Sequence, residues 1–412
     1  MNDNQHIPSV YKPSPLGPIP EDWEVKRLGE IGSFKNGLNF TPNEDGFSYH
    51  FLGVRDFQDK TDIHANELNQ IRLENELDKD YHLKDDDLVF VRSNGSKSLV
   101  GRCIIIHADH VKATYSGFCI RFRTTSEETS TQYIKHIIDA GYLQRFLQYE
   151  GRGTNITNLN QEILGRLTFP LPNLKEQQNI LNVLSLWDTA IAKQTALIEQ
   201  LTLRKRGLMQ QLLTGKKRLK GFEGEWKEVK LGEVFDERNE TNCDNLPLLS
   251  ITGDKGVIYQ SESDKRDISN EDKSKYKRIC PNDIGYNTMR MWQGRSALSD
   301  LEGIVSPAYT IVTPKDNIDV RFMTMLIQQP RIVYDFWTHS QGLVSDTLNC
   351  KYPDFSQVKV SIPSKEEQTA IANFFVGLDK EIELANKKLA ATQAQKKGLM
   401  QVLLTGKRRI LI

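Results

Sequence analysis

Two long stretches of this chain place apolar residues on alternating steps of three and four. The first runs Ile180, Leu184, Trp187, Ile191, Ile198, Leu201, Leu208 and Leu212, with Gln194 and Lys205 at the intervening steps. The second runs Ile371, Phe375, Leu378, Ile382, Ala385, Leu389, Leu399 and Leu403, with Thr392 and Lys396 at the polar steps. This is a heptad seam. It predicts two helices of about 40 residues, each about 60 Å long at about 1.5 Å per residue. A lone exposed stripe of this kind is unstable in water, and two in one chain can bury each other. The plainer alternative is that each helix covers its own globular segment. Local signals set the ends. Pro172 and Pro363 close what precedes, Asn173 and Ser364 suit N-caps, and Glu176 and Glu367 fall three positions later, as in a capping box. Gly215 and Gly406 suit the left-handed position that ends a helix.

The two stretches are copies. "GLMQQLLTGKKRL" from Gly207 returns as "GLMQVLLTGKRRI" from Gly398, an offset of 398 − 207 = 191. The same offset pairs Pro172 with Pro363, Glu176 with Glu367, Gln177 with Gln368 and Asp188 with Asp379. A second repeat precedes each helix: Trp23 to Glu30 ("WEVKRLGE") resembles Trp226 to Glu233 ("WKEVKLGE"), at an offset of 226 − 23 = 203. The first intervening segment is therefore 203 − 191 = 12 residues longer. Between the frames lie short β-branched and aromatic runs bounded by Gly, Asp and Asn, which predict strands and turns. Some echo one another: "DLVFVRSN" from Asp87 with "DIGYNTMR" from Asp283, "TYSGFCIRFR" from Thr114 with "GIVSPAYTIV" from Gly303, and "YHFLGVRD" from Tyr49 with "LPLLSITG" from Leu246. "TQYIKHIIDAGYLQRFLQY" and "DVRFMTMLIQQPRIVYDFW" have helical spacing. The expected class is α+β. Residues 1–171 and 217–362 form two globular domains (the first with a lead-in over 1–22), and residues 172–216 and 363–412 form the spacer helices. Two equivalent modules with diverged interiors on one spacer suit the reading of two different things at a fixed separation.

Composition narrows the class. The length, 412 residues, allows two to three domains. With 38% hydrophobic and 26% charged residues the chain is an ordinary soluble type. No apolar window is long enough to span a membrane, and the proline-rich start lacks a signal-peptide core, so a cytoplasmic protein is expected. Cys103, Cys119, Cys243, Cys280 and Cys350 stand apart, which predicts reduced structural thiols and neither a zinc site nor disulfides. Net charge is +0, unlike a wholly basic nucleic-acid binder. Locally, Arg204, Lys205, Arg206, Lys216, Lys217, Arg218 and Lys220 form an acid-free run, as do Lys387, Lys388, Lys396, Lys397, Lys407, Arg408 and Arg409. Either run can be a solvated helix end favoured by the helix dipole, or a face for phosphates.

Taken together, the "WxxxxLGE" openings at Trp23 and Trp226, the lead-ins "FPLPNLKEQQNIL" and "VSIPSKEEQTAIA", and the two "GLMQ-LLTGK-R" endings resemble the DNA-specificity subunit of type I restriction-modification systems. The resemblance runs from about Leu16 to Ile410. It implies that each globular segment reads one half of a split DNA sequence. It implies that the helices pack antiparallel, act as a ruler for the unread gap and dock two methyltransferase subunits. It also implies that motor-nuclease subunits join, and that S-adenosylmethionine, Mg and ATP belong to those partners while this chain binds no cofactor and performs no chemistry. An antiparallel pair of copies makes a pseudo-twofold, pseudo-circular chain, in which Gly406 returns near Trp23 as Gly215 leads to Trp226. Such a reader suits the local dyads of duplex DNA, with half-site centres about 34 Å apart.

The residues themselves offer no catalytic set. No [DNS]PP[YFW] methyltransferase signature occurs. "GRGTNI" from Gly151 lacks a third glycine, "TGKKR" from Thr214 lacks the phosphate-loop spacing, and "PDF" from Pro353 followed by Lys359 lacks an acidic partner. No two histidines sit at i, i+4 on one helix, and no metal ligands are expected. For base reading, Arg, Lys, Asn, Gln and Ser on loops are the suitable types. In the first module these are Arg92, Ser93, Asn94, Ser96 and Lys97, then Arg102, with Thr154, Asn155 and Asn158 as a second stretch. In the second they are Asn287, Arg290, Trp292, Gln293 and Arg295, with Lys255 and Ser345 as further candidates. The alternative for each loop is a plain surface turn, and for Trp292 a place in the core. Arg204, Lys205 and Lys396 near the seam can face a partner or phosphate, or lay their stems on apolar surface. Two other classes remain at this stage: the recognition part of a fused methyltransferase-nuclease, and a coiled-coil scaffold with two protein-binding modules.

Overall fold

The two heptad stripes form the long helices Leu174–Leu212 and Lys365–Leu403. This is seen in a computed structural model of the chain, which describes residues 10–41, 43–58, 60–93, 99–150, 158–253, 255–263, 270–342 and 347–410. Every seam position named above is buried or half-buried, the polar steps included. Apolar residues on the opposite face are left out: Leu186 is 70% exposed and Leu384 66%. The stripe, rather than hydrophobicity alone, decides what is covered.

The chain divides into two compact units, Met1–Gln194 with Lys388–Ile412, and Thr195–Lys387. Each unit owns a part of both helices. Within the first, Asp188 accepts from Lys396 and Glu176 accepts from Arg409, so rising numbers on one helix meet falling numbers on the other. Within the second, Lys205 pairs with Asp379 and Arg218 with Glu367. Both units therefore pack the helices antiparallel. These contacts also resolve the two basic runs. Four of their cations are paired inside the chain with acids of the opposite helix, while Arg204, Arg206, Lys216, Lys217 and Lys220 stay exposed. Lys205 and Lys396, left open above, join the seam as its ion pairs.

In the first unit a five-stranded sheet runs in the order Gly32–Asn36, Cys119–Thr124, Leu88–Val91, Cys103–His107, Asp62–His64. Its last pairing is parallel and the others antiparallel. In the second unit a four-stranded antiparallel sheet runs Phe235–Arg238, Tyr309–Pro314, Ile284–Asn287, Ser296–Leu298. The echoes in the sequence thus mark equivalent strands. Asp87 and Asp283 head the matching central strands and are both fully buried. A buried carboxylate needs a partner. Arg123 supplies it from a neighbouring strand at 2.6 and 2.7 Å, whereas Arg238 supplies it to Asp283 from a different strand at 2.7 and 3.3 Å. The helical stretches each split in two: Thr131–Asp139 and Tyr142–Glu150 around Gly141 at φ 85°, and Val320–Ile327 and Pro330–His339 at Pro330.

The repeated frame residues meet where each helix begins and the other ends. Asn173 caps its helix, accepting from the Glu176 amide at 3.0 Å. The expected capping box does not form, because the Glu176 carboxylate is buried and turned away. It accepts from Trp23 Nε1 at 3.0 Å and from Arg409 at 2.6 and 3.0 Å. Glu367 makes the equivalent pair with Arg218. The glutamines beside them are hubs as well. Gln177 donates to the carbonyls of Pro172 and Glu128 and accepts from the Ser130 amide, each at 2.8 Å. Gln368 donates to Pro363 at 2.9 Å and accepts from the Asp319 amide at 3.0 Å. The "TGK" phrases are helix stops: Gly215 and Gly406 both sit at φ 70°. A Cβ on Gly406 would lie 2.4 Å from the Pro20 ring, and one on Gly215 would lie 3.4 Å from Trp226. Tyr11 Oη also donates to the Gly406 carbonyl at 2.8 Å. The last turns of the chain thus close on the opening of the first module, as pseudo-circularity requires.

Candidate nucleic-acid interface

In the second unit the sheet ends in a short, tightly held turn. Asn287 is the last residue of its strand, and its side chain accepts from the Met289 amide at 3.0 Å. Met291–Gln293 then form one 3-10 turn, with Met291 fully buried as its anchor. The Gln293 amide donates to the Arg290 carbonyl at 2.9 Å, and Gly294 turns the chain back at φ 72°. One inward methionine thereby leaves Arg290, Gln293 and Arg295 outward, and all three are exposed. Across from them the hairpin Leu249–Thr252 with Gly256–Tyr259 presents Lys255, whose amide donates to Thr252 Oγ1 at 3.0 Å.

Between turn and hairpin lies a cleft of about 710 Å³. Its lining includes Lys255, Asn287, Arg290, Gln293 and Arg295, so five of the predicted residues converge. Ile251, Thr252, Ser263 and Tyr309 also line it. These were missed because nothing in a β-branched run says which face meets a distant loop. The lining holds three cations and no acid. Burial pushes the Tyr309 phenol up from its ordinary pKa, and its hydroxyl donates to the Ile251 carbonyl at 3.4 Å. Trp292 does not line the cleft and is not core: it is half-buried and its indole donates to the Met289 carbonyl at 3.0 Å. Ser345 lies outside the described residues.

In the first unit Arg92 and Ser93 follow the strand Leu88–Val91. Ser93 bridges to Asn158, and the Leu159 amide donates to the Arg92 carbonyl at 2.8 Å. The two predicted stretches therefore meet, next to Phe118, which is 54% exposed and whose carbonyl accepts from the Arg92 amide at 2.8 Å. Asn94, Ser96, Lys97, Thr154 and Asn155 lie outside the described residues, as does "GRGTNI" up to its isoleucine. Arg102 is placed apart. It lines a different cleft, of about 550 Å³, with Lys60, Lys135, Arg145 and Lys397.

The arrangement can bind and position, and of the sequence motifs that hinted at chemistry "TGKKR" is a helix stop and "PDF" a piece of helix. Pro353 and Asp354 belong to the short helix Tyr352–Gln357, and Lys359 pairs with Glu228 at 2.8 Å instead of completing a nuclease site. All five cysteines are free thiols. Among the described residues no helix is long and apolar enough to cross a membrane.

Comparison with known proteins gives these features a context. The family described as the type I restriction modification DNA specificity domain matches residues 20–203 and 223–393, which takes in both openings, both interiors and most of each long helix. The chain is 26% identical to the type I restriction enzyme MjaX specificity subunit of Methanocaldococcus jannaschii, over 97% of each chain. It is 24% identical to the MjaVIII specificity subunit of the same organism, over 95% of this chain and 94% of that one. Among solved structures it is similar to a chain from work on complex assembly and conformational transition of the type I R-M system, at TM-score 0.62 and 14% identity. That match covers 95% of this chain and 99% of that one. The HsdS subunit from Thermoanaerobacter tengcongensis matches at TM-score 0.53 and 15% identity, covering 95% and 98%.

Proposed function

This chain belongs to the type I restriction-modification DNA specificity family, and from that premise we propose that its two modules each read one half of a split duplex sequence. The second module reads with the cleft formed by Lys255, Asn287, Arg290, Gln293 and Arg295. The first reads with the surface where Arg92 and Ser93 meet Asn158. The helix pair holds the unread gap and docks two methyltransferase subunits, with motor-nuclease subunits joining them in the cytoplasm. S-adenosylmethionine, Mg and ATP serve those partners, so this chain supplies recognition without a cofactor of its own.

The convergence of five residues of the types suited to DNA reading on one acid-free cleft carries this reading. Arginine can donate two hydrogen bonds to a guanine edge, and asparagine or glutamine can pair with an adenine edge. Lys255 is of the type that contacts phosphate, which orients a reader without selecting sequence. The turn around Met291 holds Arg290 and Gln293 in fixed relation, which lowers the entropy lost on binding.

The test is selection of duplexes with randomised half-sites by the assembled complex. Arg290→Ala is expected to relax one half-site by about 10- to 100-fold, in line with about 1–3 kcal/mol per bidentate contact, and leave the other intact. Arg92→Ala is expected to relax the opposite half. Unchanged selection in both variants would remove these loops as the readers.

A further inference from the structure

Among its described residues the first unit carries a cluster of metal-ligating side chains that base reading does not use. Asp62 and His64 lie on the edge strand Asp62–His64, and His107 ends the strand Cys103–His107 beside it. The two strands are parallel, and their register sets His64 directly against His107. The imidazoles stack with centroids 4.7 Å apart. One ligand atom from each of Asp62, His64 and His107 lies within 4.8 Å of the other two, and Asp62 Oδ2 is 3.8 Å from His107 Nε2. The sequence hid this group because the histidines come from different strands.

A second observation points the same way. Asp109, in the turn after the His107 strand, places its carboxylate oxygens 3.1 and 3.2 Å from His64 Nδ1. A carboxylate there holds the proton on Nδ1, orients the ring and leaves the Nε2 lone pair for a ligand, which is how carboxylates support metal-binding histidines. We propose that Asp62, His64 and His107 form a site for one divalent transition-metal ion of the zinc type, completed by water, with Asp109 as its positioning residue.

The donor set selects the class of ion. Two imidazoles and one carboxylate suit Zn²⁺, Co²⁺ or Ni²⁺, whereas Mg²⁺ prefers an all-oxygen shell. Bonds of about 2.0–2.2 Å around a tetrahedral ion put its ligand atoms about 3.4 Å apart. Asp62 and His64 are exposed, which leaves their side chains room to draw in to that spacing while the sheet stays in place. The ion would staple a three-residue edge strand to its neighbour. Among the described residues the second unit's four-stranded sheet has no strand at the position of that edge.

The test uses the untagged full chain, stripped with a chelator and titrated with ZnCl₂, with MgCl₂ as the control. The expected result is one saturable zinc equivalent per chain, no saturable magnesium, and a thermal midpoint that rises with zinc. His64→Ala and His107→Ala should each abolish the binding and the zinc-dependent rise of the midpoint. Asp109→Asn should weaken it by about 10- to 100-fold, the usual cost of losing such a support. CoCl₂ in place of zinc should give visible absorption bands that both histidine variants lose. Absence of saturable zinc binding, or retention of the full equivalent in both histidine variants, would overturn the site.

Discussion

Glu176 and Glu367 show how one residue type can be placed correctly and read wrongly. Their spacing from Asn173 and Ser364 is that of a capping box, yet each carboxylate is buried and serves an arginine that follows the end of the other helix. A capping box is a local pattern, and the competing partners, Arg409 and Arg218, are distant in the sequence. Removing one member of such a pair strands the other. We expect Glu367→Ala to destabilise the chain by about 1–3 kcal/mol, since the Arg218 side chain keeps 26% of its surface and can regain water. Glu176→Ala should cost more, because it also orphans the fully buried Trp23 indole. Urea unfolding of both variants checks the order, and an equal, negligible cost would contradict it. The cysteines offer a second check at this scale. Burial pushes the thiols of Cys119 and Cys350 up to about 12, and that of Cys103 higher still. Alkylation of the native chain at pH 8 should therefore modify Cys243 first and reach these three only in denaturant. Labelling of Cys119 at the rate of Cys243 would contradict the packing.

At the scale of elements, what could be read from the sequence depended on how local its cause was. The two long helices were legible because a strict period of three and four repeats along each of them, and because Gly215 and Gly406 mark their stops. The strands were legible as strands, and the echo of Asp87 in Asp283 even paired them between modules. Their order was not, because Gly32–Asn36 pairs with Cys119–Thr124 across most of a module. The candidate cleft was half-legible. Residue type picked out Arg290, Gln293 and Arg295 on one loop, but the hairpin that faces them, with Ile251 and Thr252, came from tertiary packing. Trp292 was misplaced because the neighbouring Met291 anchors the turn. The seam makes a direct prediction. Leu184→Ala, at a fully buried position, should cost about 2–5 kcal/mol, while Leu186→Ala, at 70% exposure, should change stability by less than about 0.5 kcal/mol. Comparable losses in denaturant melts of the two variants would mean that the stripe is not what the helices bury.

For the whole molecule, the repeat carries more than either copy. The frame is written twice with the same buried hubs, Glu176 with Gln177 and Glu367 with Gln368, while the surfaces they support differ. One module presents a cleft with three cations, and the other an arginine and a serine bridged to Asn158 beside an exposed phenylalanine. That contrast is why two different half-sites are proposed. It also explains why the second copy of the helix stop falls at Gly406: there it seats against Pro20 and Trp23, as Gly215 seats against Trp226. The most direct measurement is a map of methylated bases in a cell that carries this chain with its methyltransferase partner. One bipartite motif with a gap of fixed length is predicted, and in the Arg290→Ala variant one half of that motif should degenerate while the gap stays the same. A continuous motif, or a gap that varies from site to site, would contradict the account.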